Sequence, residues 1–325
     1  MRQCIVKGEA LVVLEEQQVD GRRRLLLAVM GMGGMLATGL PVTAFARTAK
    51  PAVPTGTGSA LENEIKDYLA AMRQDGRLAA DEKTAWSVYD LTQNQPLVAL
   101  NENTPFQCAS MIKPLVALAY FVRHSENPAR YPYDAATRYR MEEMIRDSNN
   151  RATNYFISAI SDAPLSRRPR ELERLLKRRV RGVFRQTSIM EFIPPDGRCY
   201  RNRASAGDYS RFLHALWHDR LPFAMEIKTL MGLPNHDRLV QGVPEIPMGT
   251  LIYDKTGTTA RLCGDMGILV ARGLDGQNYP YIVVGMIEKA RRAQPYWRWV
   301  TDRSEIIREI STLVYRGMKS RYPLA

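Results

Sequence analysis

The chain has 325 residues, of which 45% are hydrophobic and 25% charged, and it carries a formal net charge of +12. This is ordinary globular composition, long enough to build a sizeable core without disulfide staples, so a disordered chain and a small cystine-held protein are both excluded. One large domain or two small ones fit the length.

The first 46 residues stand apart. Arg22-Arg23-Arg24 runs into Leu25-Leu26-Leu27-Ala28-Val29-Met30, and the segment closes on Ala44-Phe45-Ala46. A charged start, an apolar middle and an Ala-x-Ala end predict a signal peptide over residues 1–46, hence an exported protein, periplasmic or extracellular. The order Arg22-Arg23-x-Leu25-Leu26 resembles a twin-arginine export motif, with the general secretory route and a retained anchor as the other readings. Residues 47–58, rich in Pro, Thr and Gly, predict a flexible leader. Removing residues 1–46 takes away five basic and four acidic residues, so the charge falls only from +12 to +11.

Much of the basic excess lies in Arg167 to Arg181, where Leu172, Leu175 and Leu176 share one helical face with arginines around them. A solvated helix face is one reading, and attraction to an anionic cell-wall surface is the other. Nucleic acid is not expected as a partner of an exported chain. Cys108, Cys199 and Cys263 remain after the signal, and no Cys-x-x-Cys spacing points to a metal.

Along residues 59–325 the pattern predicts one domain. Ser59 and Glu62 form a capping box before a helix over about 60–74, with Leu61, Ile65, Leu69 and Met72 on its apolar face. Short strands at 86–89 and 97–100 flank the turn-rich segment 92–96. A buried helix starts at Ser110, where Pro114 is tolerated in the first turn. Residues 125–245 read as helices broken by loops, with pieces at 141–146, 167–181, 205–217 and 223–231 and no strand. Strands return at 250–255, 266–270 and 281–286, and a helix through Trp299, Ile306, Ile310 and Leu313 closes the chain. Strands at both ends predict an α/β fold with one antiparallel five-stranded sheet flanked by helices, interrupted by an all-helical insertion at about 110–245.

Ser110-Met111-Ile112-Lys113 sets a hydroxyl and an amine three residues apart, on one face of a helix. A serine needs a base to become a nucleophile, and a lysine in a dry, positively crowded pocket loses its proton more easily. Free N–H groups at a helix start favour the negative charge that develops during attack. Alone, the pair is equally a capping serine beside a surface lysine.

Two further segments accompany it: Ser148-Asn149-Asn150 after a helix and Lys255-Thr256-Gly257 at a strand end. The three together resemble the Ser-x-x-Lys, Ser-Asp-Asn and Lys-Thr-Gly set of class A β-lactamases and penicillin-binding proteins, over roughly residues 60–318. The resemblance implies that Ser110 is the acylated nucleophile and Lys113 its base or proton relay. It implies that Ser148 passes a proton to the leaving nitrogen, Asn150 holds a substrate amide, and Lys255 with Thr256 binds the substrate carboxylate. The N–H groups of Ser110 and Thr258 would form the oxyanion hole. β-Lactam hydrolysis is the implied activity, with a D-alanyl-D-alanine carboxypeptidase or another amide hydrolase as alternative and a non-enzymatic cell-wall binding protein as the rival from a different class. The expected ligands are a β-lactam or a peptidoglycan-derived small molecule, with no cofactor.

Three departures stand out. Asn149 replaces the usual aspartate, the interval from Ser110 to Ser148 is short, and no Glu-x-x-Leu-Asn run supplies the glutamate that activates the deacylating water. Glu191, followed by Phe192-Ile193-Pro194-Pro195, is the acid in the corresponding region, either a general base or a loop acid without a catalytic role. The resemblance also brings Cys108 and Cys263 to one pocket, where a disulfide or two buried thiols are the alternatives. His214 and His218, four apart, lack a flanking glutamate and a third ligand, so no metal is assigned.

Overall fold

The structure, a computed structural model, describes residues 59–325; the signal peptide and leader expected before Ser59 lie outside the described residues. Helix α1 spans Ala60–Gln74. Ser59 caps it by accepting from the Glu62 N–H at 3.1 Å, but Glu62 does not reach back. Its carboxylate accepts instead from Lys66 and from the Ala99 N–H at 3.0 Å, so only half of the expected capping box forms and the other half ties the helix to a strand.

Strands β1 (Glu82–Asp90) and β2 (Gln95–Leu100) form a hairpin around Asn94, whose positive φ suits the turn. β3 (Phe106–Gln107) and β4 (Arg203–Ala204) pair as a short ribbon, a strand that periodicity did not reveal because two residues carry no pattern. A 3₁₀ turn, Ala109–Ile112, leads into α2 (Lys113–Glu126), then α3 (Ala135–Ile145), α4 (Asn150–Ala159) and α5 (Arg168–Arg179). Helices α6 (Ala206–Trp217) and α7 (Ala224–Met231) complete the insertion. β5 (Leu251–Thr258), β6 (Leu262–Arg272), β7 (Asn278–Lys289) and α8 (Tyr296–Lys319) end the chain.

The sheet is antiparallel throughout, in the order β2-β1-β7-β6-β5, so the two ends of the chain meet at the β1–β7 ladder. Strand alternation divides its side chains between two cores. Ala85, Met266, Ile282, Val284 and Met286 face the helical insertion. Trp86, Val88, Leu269, Tyr281 and Val283 face α1 and α8. Trp86 lies so close over Gly285 that a Cβ there would come 2.3 Å from its ring, which fixes glycine at that β7 position.

The same alternation overturns the pairing of Cys108 with Cys263. Cys108 lies in the core on the insertion side, whereas Cys263 points through the sheet to α8, beside Ser304 and the Val300 carbonyl. All three described cysteines are free and buried.

Candidate active site

Ser110 stands at the start of the 3₁₀ turn, where N–H groups lack intrahelical acceptors. Ala109, just before it, has φ of 46°, and Ser148 on the opposite wall has φ of 56°. Left-handed backbone at non-glycine residues costs energy, and here it turns both serines towards one point. β5 closes the third side. A Cβ on Gly257 would stand 2.9 Å from Met111 Cγ and 3.2 Å from Ala109 Cβ, so glycine lets the strand approach the turn that carries Ser110.

At the centre is Lys113, fully buried. Its Nζ lies 3.0 Å from Ser110 Oγ, 2.5 Å from the Ser148 carbonyl, 3.0 Å from Ser148 Oγ and 3.0 Å from Asn150 Oδ1. Two of these four neighbours, the carbonyl and the amide oxygen, can only accept. A neutral amine satisfies both with its two N–H groups and keeps its one lone pair to accept from one of the two hydroxyls. Burial, reinforced by the nearby Lys255 charge, lowers the Lys113 pKa from 10.5 to about 7. The site therefore prefers the form that can take a proton from serine.

Lys255, also buried, has its pKa lowered by burial, against the attraction of Asp254 and Asp265. Those two carboxyls are raised by their own burial, Asp265 to about 6. Each keeps one buried oxygen without a partner, the state expected of carboxyls close to protonation. Lys255 Nζ reaches Thr256 Oγ1 at 3.5 Å, and Thr258 Oγ1 accepts from Arg238 at 2.8 Å. Arg238 is a buried cation that the sequence reading missed. It also donates to the Gly264 carbonyl at 2.9 Å and to Ser304 at 2.8 Å, which fixes a positive charge beside the Lys255–Thr258 strand.

Glu191 sits in the loop between α5 and β4. Its Oε1 accepts from the Tyr200 and Arg201 N–H groups at 2.9 and 2.8 Å, and the Arg201 guanidinium lies 3.9 Å from Oε2. No hydrogen bond joins it to Ser110, Lys113, Ser148 or Asn150. The rest of the loop is equally tied. Asn202 accepts from the Met190 and Glu191 N–H groups, and Asp208 from those of Arg185 and Gln186. Asn154, one turn after Asn150 on α4, exchanges two hydrogen bonds with the Ile193 backbone. These loop residues gave no sequence signal beyond being polar and local.

The His214 and His218 rings lie with centres 4.5 Å apart and planes tilted by 57°, and His214 Nε2 lies 2.8 Å from Asn94 Oδ1. Among the described residues no cluster of three His, Cys, Asp or Glu side chains is placed to hold a metal.

This sheet, insertion and serine–lysine constellation define a penicillin-recognising serine hydrolase fold. The sequence pattern of the β-lactamase enzyme family matches residues 129–318, more than half of the chain, and the chain belongs to that family. The match begins after Ser110 and Lys113, whose place in the site is given by the geometry above. Among solved structures, a mutant of PBP-A in an acyl-enzyme complex with penicillin G is similar at 18% identity, covering 80% of this chain and 96% of that one with a TM-score of 0.62. A β-lactamase from Chitinophaga pinensis is similar at 14% identity, covering 79% and 99%, with a TM-score of 0.63. The extended-spectrum β-lactamase TLA-1 is similar at 14% identity, covering 79% and 98%, with a TM-score of 0.61. No curated protein matches the chain.

Proposed function

We propose that the protein is an exported acyl-enzyme-forming serine hydrolase that opens β-lactams and cleaves related peptide amides on Ser110, with slow release of the acyl group. The observation that carries this reading is the position of Lys113 Nζ, within 3.0 Å of Ser110 Oγ in a site that favours the neutral amine.

Lys113 takes the proton of Ser110 as Oγ bonds to the carbonyl carbon, and the N–H groups of Ser110 and Thr258 receive the oxyanion. When the C–N bond breaks, Ser148 hands a proton to the nitrogen and regains one from Lys113. Asn150 orients the substrate amide, and Lys255, Thr256 and Arg238 attract its carboxylate. The ester remains on Ser110.

Hydrolysing that ester needs a second base for water. Glu191 is a poor candidate because no hydrogen bond joins it to Ser110, Lys113, Ser148 or Asn150, and its Oε1 is held by the Tyr200 and Arg201 N–H groups. This favours a slow-turnover penicillin-binding activity over a fast β-lactamase. A chromogenic cephalosporin followed before and during steady state tests it. A burst equal to the enzyme concentration, followed by a much slower rate, is expected; fast turnover without a burst would contradict the slow second step. Export rests on residues 1–46, and fractionation of the producing cell checks it.

A further inference from the structure

The basic excess of the chain gathers at one concave place. The C-terminal ends of α5 and α6 enclose a cavity of about 420 Å³ whose charged lining is Arg179, Arg181, Arg211, Arg220 and His214, with no carboxylate among the lining residues. Its volume falls in the range of small-ligand pockets. Local bonds hold the cations there. Gly182, with φ of 82°, turns the chain after α5, and Arg211 Nε ties that turn to α6 by donating to the Val183 carbonyl at 2.9 Å. The Arg220 N–H donates to the Ala215 carbonyl at 2.9 Å, just beyond the end of α6. Buried Val180 and Leu221 back the cavity, and over such an apolar floor the fields of neighbouring cations are screened less than in open water.

The acids nearby are engaged with other groups or with only part of this charge. Glu126 pairs with Arg179, and Asp208 with Arg211 and the Arg185 and Gln186 N–H groups. Asp219, next to Arg220, pairs with Lys228 at 3.0 Å. Arg181 and Arg220 form no ion pair among the described residues, so two of the four arginines are balanced and two are not. His214 feels the excess: burial first, then the His218 and Arg220 charges, lower its pKa from the ordinary value. Like charges held together repel, and an anion in the cavity would remove that cost. A carboxylate fills one guanidinium fork, whereas a phosphate presents three oxygens and up to two charges. Two linked phosphates match the two unpaired arginines.

We propose that this cavity binds a diphosphate group, free or as an ester, with Arg181 and Arg220 as its ion partners and Arg179 and Arg211 as supporting cations. The site stands apart from Ser110. His214 packs edge-on against Tyr89 of β1, ring centres 5.1 Å apart, whereas the turn that carries Ser110 lies against β5, and β7 and β6 separate those strands. A bound diphosphate therefore holds the protein without competing with the acyl substrate.

A lipid headgroup and a soluble ester present the same diphosphate, so the test has two arms. In the first, calorimetry of the full chain compares inorganic pyrophosphate, orthophosphate and glutarate. One pyrophosphate per chain is expected, bound roughly ten-fold or more tighter than either other anion and more weakly as salt rises. Arg181→Gln with Arg220→Gln should weaken it by roughly ten-fold, and the two Lys substitutions by less, because the charge stays and the fork is lost. Arg170→Gln with Arg178→Gln, exposed on α5 outside the cavity, should leave it within about two-fold. The His214 ring, followed by NMR, should show its pKa rise when pyrophosphate is added. In the second arm, phosphatidylcholine vesicles with and without diacylglycerol pyrophosphate are sedimented with the protein. Capture that pyrophosphate reverses assigns a membrane source, and pyrophosphate binding without capture assigns a soluble one; both support the site. Circular dichroism verifies that each variant is folded. Several weak anion sites per chain, pyrophosphate bound no tighter than orthophosphate, or equal losses in the two pairs of Gln variants would overturn the proposal and leave only general basic attraction.

Discussion

Asn154 and Ile193 are locked amide to amide: Asn154 Nδ2 donates to the Ile193 carbonyl at 2.7 Å, and the Ile193 N–H donates to Asn154 Oδ1 at 2.9 Å. The pair fastens the α5–β4 loop to α4, the helix that begins with Asn150. Asn154→Leu leaves a buried N–H and C=O unpaired and should cost about 1–3 kcal/mol. Hydrogen exchange should quicken across residues 188–202 and leave the sheet protected; unchanged exchange in the loop would show that its other ties suffice.

In the proposed mechanism Lys113 makes acylation dependent on pH. With its pKa lowered from 10.5 to about 7 by burial, it is mostly protonated below pH 7 and mostly neutral, able to accept a proton, above it. The acylation rate should rise with pH to a plateau, with a midpoint near 7. A flat profile from pH 5 to 9 would remove Lys113 from the base role.

The same burial sets a stability cost. Between pH 7 and 10.5 the unfolded chain binds a proton at this lysine that the folded chain does not, so stability rises with pH across that window. Below it the cost is greatest. Lys113→Met should therefore slow acylation by roughly 10²- to 10⁴-fold while raising the melting temperature at neutral pH by a few degrees, on the order of 1 kcal/mol. A variant that is both inactive and less stable would mean that the lysine's hydrogen bonds outweigh its desolvation.

Glu191 separates two accounts of the second step. As a brace on the Tyr200 and Arg201 N–H groups it can be replaced by glutamine, whose amide oxygen accepts the same bonds. Glu191→Gln should leave the deacylation rate within about two-fold of wild type, and Glu191→Ala should loosen the loop. A much longer-lived adduct in Glu191→Gln alone would identify the carboxylate as the base.

The cysteines offer a covalent check on the fold. Alkylation of the unfolded, unreduced protein should modify Cys108, Cys199 and Cys263 alike, since Cys108 and Cys263 occupy opposite faces of the sheet. A Cys108–Cys263 linked peptide would contradict the register of β6.

Much of this architecture was legible in local pattern. The apolar spacing of Leu61, Ile65, Leu69 and Met72 marks α1, and the apolar runs through Val88, Ile268 and Val283 mark strands of the central sheet. The motif residues were legible too, because a hydroxyl, an amine and a tight glycine recur at short spacings. What stayed hidden depends on contacts distant in sequence. Arg238 meets Thr258 and Ser304 only after β5 and α8 are in place. The loop function of Glu191 is written in backbone N–H groups, which every sequence possesses. Cys263 was misplaced because the face of a strand is set by register, and a shift of one residue reverses it.

The proposed function turns on acylation of Ser110 with Lys113 as its base. Its most direct test is time-resolved intact mass and peptide mapping of the protein with benzylpenicillin at pH 7.5, alongside Ser110→Ala and Lys113→Met. One penicilloyl group per wild-type chain is expected, mapped to Ser110 and persisting for many minutes, with none on Ser110→Ala and a greatly slowed adduct on Lys113→Met. No adduct on the folded wild type, an adduct on another residue, or labelling of Lys113→Met at the wild-type rate would contradict it.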